Sequence, residues 1–339
     1  MCKPRWKVSA PSNSGSDSAM RHLRSGLLAA ALCAACASSF AFDLQGHRGT
    51  RGNAPENTLA AFDRALAIGV DTLELDVGLT ADGVVVVAHD IALNPAITRD
   101  ASGEWLPASQ GPLIRSLTLA QLQTYDVGRI RPDTPYAKTF ATQQPRDGEH
   151  VPTLAAVFDL VKKRGASVRF NIETKVDPGR PGDTASTEAL VQALLKVVQD
   201  AGMASRVSIQ SFDWRTLRLV QKAAPAIPTV CLTLQSANSD SVRDGRWTAG
   251  LRLEDHDGVP RLVKAAGCAV WSPNAGALTQ ALLKEAQSLG LKVVPWTVNA
   301  PADMDRLLGW NVDGLITDYP DRLRQVMEAR GMRVPKAVP

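Results

Sequence analysis

Eight short apolar runs recur along this chain with helical patterns between them, and that alternation constrains the fold more than any other feature. The runs are Phe42–Gln45, Thr72–Val77, Arg169–Thr174, Val207–Ser211, Thr229–Leu234, Cys268–Ser272, Lys292–Thr297 and Gly314–Thr317. Helical segments such as Thr58–Ile68, Leu154–Arg164, Glu188–Ala201, Asp213–Ala223, Thr279–Leu289 and Ala302–Leu308 fall between them. In the first of these, Leu59, Phe62 and Leu66 share one face. Asn57 or Thr58 can cap its start, and Gly69 stands where a helix end prefers glycine. Strand–helix repetition of this kind demands parallel strands joined by helical crossovers. Eight such units over about 290 residues predict an α/β fold, a (β/α)8 TIM barrel in one domain over residues 42–330, with a tail at 331–339.

One stretch breaks the rhythm. Val84–Ala88 reads as a further strand, and residues from about 90 to 152 are rich in Pro, Gly, Gln and Asp. A loop of that length is more often functional than slack, so it is expected to form a small subdomain after the second strand, over the barrel mouth.

The composition, 45% hydrophobic and 21% charged, is that of a soluble globular chain. The net charge of +4 is concentrated in residues 1–41, which hold Lys3, Arg5, Lys7, Arg21 and Arg24 against Asp17. The remainder is formally neutral, which argues against a nucleic-acid partner. A basic stretch beginning at Met20, an apolar run Gly26–Ala37 and small residues at Ser39 and Ala41 form a secretory signal, with Met20 the expected start. Export follows, with a periplasm as destination and no membrane span after cleavage. Cys33 and Cys36 lack the leucine three residues earlier that lipid attachment favours. Cys231 and Cys268 would then remain, and two buried thiols in neighbouring strands are expected rather than a disulfide.

In a barrel of this kind, chemistry gathers at the C-terminal ends of the strands. Those ends carry Gly46-His47-Arg48-Gly49, Glu74-Leu75-Asp76, His89-Asp90, Glu173-Thr174-Lys175, Trp296 and Thr317-Asp318. Glu74 and Asp76 are two apart, so both leave the same face of a strand, and Glu173 and Lys175 repeat the spacing. Glu74, Asp76 and Glu173 converging at one end need a cation to offset their repulsion. An all-oxygen set suits one divalent ion, Mg²⁺ or Ca²⁺. His47 and His89 suit a general acid and base near neutral pH. Arg48 is shaped for phosphate, Lys175 offers an anion contact, and Gly46, Gly49 and Gly52 would let backbone amides approach an anion. Trp271 and Trp296 are expected near the mouth, where they could meet substrate. Trp214 and Trp310 read as packing, and His150 and His256 as surface residues.

Together these imply attack at phosphorus. The segments His47-Arg48-Gly49, Pro55-Glu56-Asn57-Thr58, Glu74-Leu75-Asp76 and His89-Asp90 resemble the signature of the glycerophosphodiester phosphodiesterases in order and spacing. The likeness continues through Asn171–Lys175, Gln210–Phe212, Trp296–Asn299 and Gly314–Asp318. It implies a barrel enzyme that cleaves glycerophosphodiesters to sn-glycerol 3-phosphate and an alcohol. Glu74, Asp76 and Glu173 would hold a divalent ion, His47 and His89 would exchange protons, and Arg48 and Lys175 would hold the phosphate. The insertion resembles the family's own inserted subdomain. Phospholipases of the sphingomyelinase D or phosphatidylinositol-specific kind share the barrel and are the nearest rivals. From another class, a non-catalytic exported phosphodiester-binding protein would have no use for two histidines.

Overall fold

The computed structural model describes residues 42–109 and 111–339; the expected signal segment 1–41, with Cys33 and Cys36, lies outside them. Among the described residues nine strands run in chain order as β1 Asp43–Gly46, β2 Thr72–Leu79, β3 Val85–Val87, β4 Arg169–Thr174, β5 Val207–Ser211, β6 Thr229–Thr233, β7 Val270–Pro273, β8 Lys292–Val293 and β9 Gly314–Thr317. All but β3 pair in parallel, in the order β8-β7-β6-β5-β4-β2-β1-β9. The circle closes where Asp313 N–H donates to the Val293 carbonyl at 2.9 Å and Ile316 N–H to the Pro295 carbonyl at 3.1 Å. The seventh expected run, Lys292–Thr297, is shorter as a ladder than predicted, because Pro295 has no N–H to give. A (β/α)8 barrel results.

The helices are α1 Leu59–Ile68, α2 Leu119–Leu122, α3 Pro135–Thr139, α4 Leu154–Lys163, α5 Thr187–Asp200, α6 Trp214–Ala223, α7 Val259–Ala265, α8 Gln280–Ser288, α9 Pro301–Gly309 and α10 Pro320–Ala329. All except α2 and α3 follow barrel strands. Of the two expected caps on α1, Thr58 is the one used: its side chain accepts from Ala61 N–H at 3.1 Å. The buried faces of these helices close a shell of core around the strands, in which Phe62, Phe158, Phe170, Leu194 and Trp214 are fully covered. Each such side chain contributes on the order of 2 kcal/mol. Residues after α10 return across α1, where Val338 N–H donates to the Leu66 carbonyl at 2.9 Å.

Cys231, on β6, and Cys268, just before β7, form a disulfide, contrary to the expectation of free thiols. The lateral pairing of β6 with β7 brings their Cα atoms to 5.9 Å, within bridging range.

Between β3 and α4 the chain builds a separate cluster from Val86, Leu93, Leu106, Ile114, Leu122, Val127 and Val151. Helix α3 belongs to this segment. Thr134 caps it and Pro135 begins it, with a ring that needs no N–H acceptor at that position. No helix among the described residues is long and apolar enough to cross a membrane.

Candidate active site

Strand register sets the site. Glu74 and Asp76 on β2 stand level with Asn171 and Glu173 on β4, and Glu173 is level with Gln210 on β5. Period-two alternation turns Glu74, Asp76 and Glu173 inward, so one oxygen from each lies within 4.8 Å of the others, and all three are buried. Glu74 accepts from Arg48 N–H at 2.8 Å and from Gln210 Nε2 at 2.7 Å. Asp76 accepts from Asn57 Nδ2 at 2.9 Å, while its Oδ1 has no hydrogen-bond partner and Lys175 Nζ stands 3.6 Å off. Glu173 accepts from Lys175 Nζ at 2.8 Å.

Burial raises Glu74 well above the usual carboxylate range, and the neighbouring Asp76 adds to the rise. Burial raises Glu173 too, against the pull of Lys175. Asp76 is held low because His89, Lys175 and Arg48 outweigh its burial. Lys175 stays charged, since Glu173 and Asp76 overcome the cost of its burial.

The carboxylates fit a hard divalent ion. Asp76 Oδ1 is a buried anionic oxygen that accepts no hydrogen bond and has only the Lys175 ammonium at 3.6 Å, which leaves it open to a cation. Five buried acids, Glu56, Glu74, Asp76, Glu173 and Asp318, face the three cations Arg48, Arg51 and Lys175. With the His89–Asp90 pair set aside, these acids outnumber the cations by two, the charge that one divalent ion offsets.

His47 sits at the end of β1, where its Nδ1 meets Asp318 Oδ1 at 2.6 Å and its Nε2 lies 3.9 Å from Glu74. Desolvation lowers its pKa to about 4, although Asp318 pulls the other way. Asp318, after β9, is fixed further by Arg51 through Nε at 2.8 Å and Nη2 at 2.9 Å, and by Asn299 Nδ2 at 2.7 Å. His89, after β3, is half-buried, and its Nδ1 meets Asp90 Oδ1 at 2.8 Å; Asn94 steadies Asp90 at 2.8 Å. Both imidazoles are therefore held at Nδ1 by a carboxylate.

Arg48 has φ 51°, and Asn57 φ 55°, a conformation that side chains rarely adopt and that clusters at functional sites. The Arg48 guanidinium pairs with Glu56 at 2.5 Å and lies 3.5 Å from Asp76, while its Nε proton has no acceptor. Tyr136, on α3 of the insertion, donates its hydroxyl to the other oxygen of Glu56. Phe140, at the end of the same helix, lies beneath the Arg51 guanidinium, 4.5 Å from the ring centre. The insertion thus supports both arginines.

His89, Asp90, Glu173, Lys175, Phe212 and Trp247 border one cleft of about 380 Å³. Half-buried Trp296 meets Phe212 edge-on at 5.4 Å and gives its indole N–H to the Ser272 carbonyl. Trp271 does not reach the mouth: it is buried, with its indole N–H on Thr233. Nor do the glycines form an anion cradle. Gly49 N–H is taken by the Glu74 carbonyl and Gly52 N–H by the Asp318 carbonyl. Glycine is needed at 52 for close approach, since a Cβ there would lie 2.2 Å from the Tyr319 ring. Trp214 packs in the core, His150 is exposed and His256 half-buried.

Sequence reasoning gave no role to Glu56, Arg51, Tyr136, Asn299 or Gln210. Asp318 was visible only as a strand-end acid. The signals that could have found them were the acid in Pro55-Glu56-Asn57-Thr58 and the polar residues alternating along Val207–Ser211.

The fold and the site together define a TIM-barrel enzyme whose polar residues gather at the C-terminal ends of the strands. The profile of the Glycerophosphoryl diester phosphodiesterase family matches residues 47–322. A glycerophosphodiester phosphodiesterase of Caldanaerobacter subterraneus is 30% identical over 287 residues, covering 84% of this chain and 97% of the relative. One from Bacillus subtilis is 32% identical over 282 residues, covering 83% and 84% respectively. A solved structure from Silicibacter pomeroyi, assigned to the same family, aligns with a TM-score of 0.77 at 34% identity, covering 87% of this chain and 96% of that one. An Oleispira antarctica phosphodiesterase solved with sn-glycerol-3-phosphate shares the fold at 22% identity and a TM-score of 0.62, covering 86% and 98%. The chain belongs to the glycerophosphoryl diester phosphodiesterase family and is an enzyme of it.

Proposed function

We propose that this enzyme hydrolyses glycerophosphodiesters, such as glycerophosphocholine and glycerophosphoethanolamine, to sn-glycerol 3-phosphate and an alcohol, with one divalent cation, Mg²⁺ or Ca²⁺. The observation that carries the reading is the pair of carboxylate-held imidazoles, His47 with Asp318 and His89 with Asp90, beside a buried three-carboxylate cage. The product bound to the Oleispira phosphodiesterase supports the substrate class.

Glu74, Asp76 and Glu173 would hold the ion, which supplies Lewis-acid stabilisation of phosphate charge and a lowered pKa for a glycerol hydroxyl. Neutral His47 takes the proton from that hydroxyl at Nε2 as the oxygen attacks phosphorus. Asp318 accepts a hydrogen bond from Nδ1–H and stabilises the imidazolium that forms. His89, aligned by Asp90, gives its proton to the departing alcohol. A cyclic phosphate results, and water opens it with the two roles exchanged. The free Nε proton of Arg48 and the ammonium of Lys175 hold the phosphate oxygens. Trp296, edge-on to Phe212, gives the glycerol carbons an aromatic wall. We place the enzyme outside the cytoplasm, in a periplasm, and the Cys231–Cys268 disulfide supports export.

The test is a panel of glycerophosphocholine, lysophosphatidylcholine and phosphatidylinositol, read as release of glycerol 3-phosphate from the first, choline from the second and inositol phosphate from the third. Preference for the first upholds the reading. Preference for either lipid moves the enzyme to the phospholipase rivals, and binding without turnover to the binding protein.

A further inference from the structure

Beside the cage, polar side chains from β1, β2, β4 and β5 form one line of hydrogen bonds. Gln45 Nε2 donates to Asp43 Oδ2 at 3.0 Å at the far end, and Gln210 Nε2 donates to Glu74 Oε1 at 2.7 Å at the cage. Between them Asn171 Nδ2 donates to Gln45 Oε1 at 3.0 Å and to Gln210 Oε1 at 2.9 Å. Asn171 Oδ1 accepts from Ser208 Oγ at 2.9 Å, so every polar atom of that amide is used. Gln45, Asn171, Gln210 and Glu74 are all at least nine-tenths buried.

The line begins on Asp43, which pairs with Arg169, and ends on Glu74, and a carboxylate that holds a cation only accepts. Both glutamines must therefore turn their NH₂ groups outward and their carbonyls inward, toward each other. The residue between two inward carbonyls has to donate twice. A primary amide does this without charge; a hydroxyl donates once and a carboxylate not at all. We propose that Asn171 is a positioning residue for the cation site: its double donation locks Gln210 with Nε2, rather than Oε1, toward Glu74. Released from Asn171, Gln210 can turn its carbonyl against the Glu74 carboxylate and draw that ligand out of place. Outer partners of this kind commonly govern metal affinity by 10- to 100-fold. The inference rests on the cation-site reading above.

The test is direct binding of Mn²⁺, a hard divalent probe, followed by electron paramagnetic resonance of the free ion, with folding checked by circular dichroism. The unaltered protein should bind Mn²⁺, Asn171→Leu should bind it roughly tenfold more weakly, and Gln210→Leu similarly. The double variant should be no weaker than Gln210→Leu alone, because Asn171 acts through Gln210. Should Asn171→Leu fail to fold, Asn171→Ser, which keeps one donor, should weaken binding about threefold. Unchanged affinity in a folded Asn171 variant, or penalties that multiply in the double variant, would overturn the proposal. Loss of all Mn²⁺ binding in the unaltered protein would instead remove the cation-site reading, and this inference with it.

Discussion

Asp318 Oδ1 lies 2.6 Å from His47 Nδ1, joining the last barrel strand to the first across 271 residues of sequence. The closure of the barrel is what makes this contact, so the tautomer and direction of the imidazole depend on the whole fold. Asp318→Asn would keep the shape but remove the charge that holds the Nδ1 proton and stabilises the imidazolium. We expect kcat to fall about 100-fold or more, with binding of Mn²⁺ retained. Unaltered kcat would show that His47 needs no such partner.

His47 also makes stability depend on pH. Its folded pKa, lowered to about 4 chiefly by desolvation, lies below the unfolded value near 6.5. As pH falls through 6.5 the unfolded chain takes a proton that the folded chain refuses, so stability is lost down to about pH 4. The loss is on the order of 3 kcal/mol at most. Urea unfolding at pH 7 and pH 4.5 should show it, and His47→Gln should reduce the difference. An equal pH dependence in that variant would assign the loss elsewhere.

Tyr136 ties the insertion to Glu56 and, through it, to Arg48. Tyr136→Phe removes a single hydroxyl and leaves the Arg48–Glu56 pair standing. A cost of about 1 kcal/mol, expressed in phosphate binding, corresponds to a KM about fivefold higher with kcat little changed. Steady-state kinetics on glycerophosphocholine would show whether the penalty falls on KM; a fall in kcat alone would count against the arrangement.

The disulfide closes a 37-residue span whose removal should be felt in folding rather than chemistry. Replacing both cysteines with alanine should cost roughly 2–4 kcal/mol. Denaturant melts should show the loss while kcat holds, and equal stability would mean that the bond carries no constraint.

Much of the architecture was legible because parallel strands covered on both faces read as largely apolar runs, as in Thr229–Thr233 and Gly314–Thr317. The cage was legible because alternate strand residues share a face, which places Glu74 with Asp76 from sequence alone. What stayed hidden depends on lateral neighbours. Cys231 meets Cys268 only through strand pairing. Trp271 and Trp296 look alike in sequence, but one is buried in the core and the other is half-buried against Phe212. Glycines 49 and 52 suggested anion binding, whereas the folded loop uses their amides for backbone carbonyls and their missing side chains for close packing. Tyr136 sits in a segment whose composition announced a loop and nothing of where its hydroxyl would land.

The most direct measurement of the central claim is release of glycerol 3-phosphate from glycerophosphocholine after chelation with EDTA and after restoring Mg²⁺ or Ca²⁺. A cage of three buried carboxylates, with an Asp76 oxygen that accepts no hydrogen bond, predicts activity lost to EDTA and regained with one of the two ions. Glu74→Gln should need more of that ion for the same rate. Turnover that persists unchanged through exhaustive chelation would contradict the account.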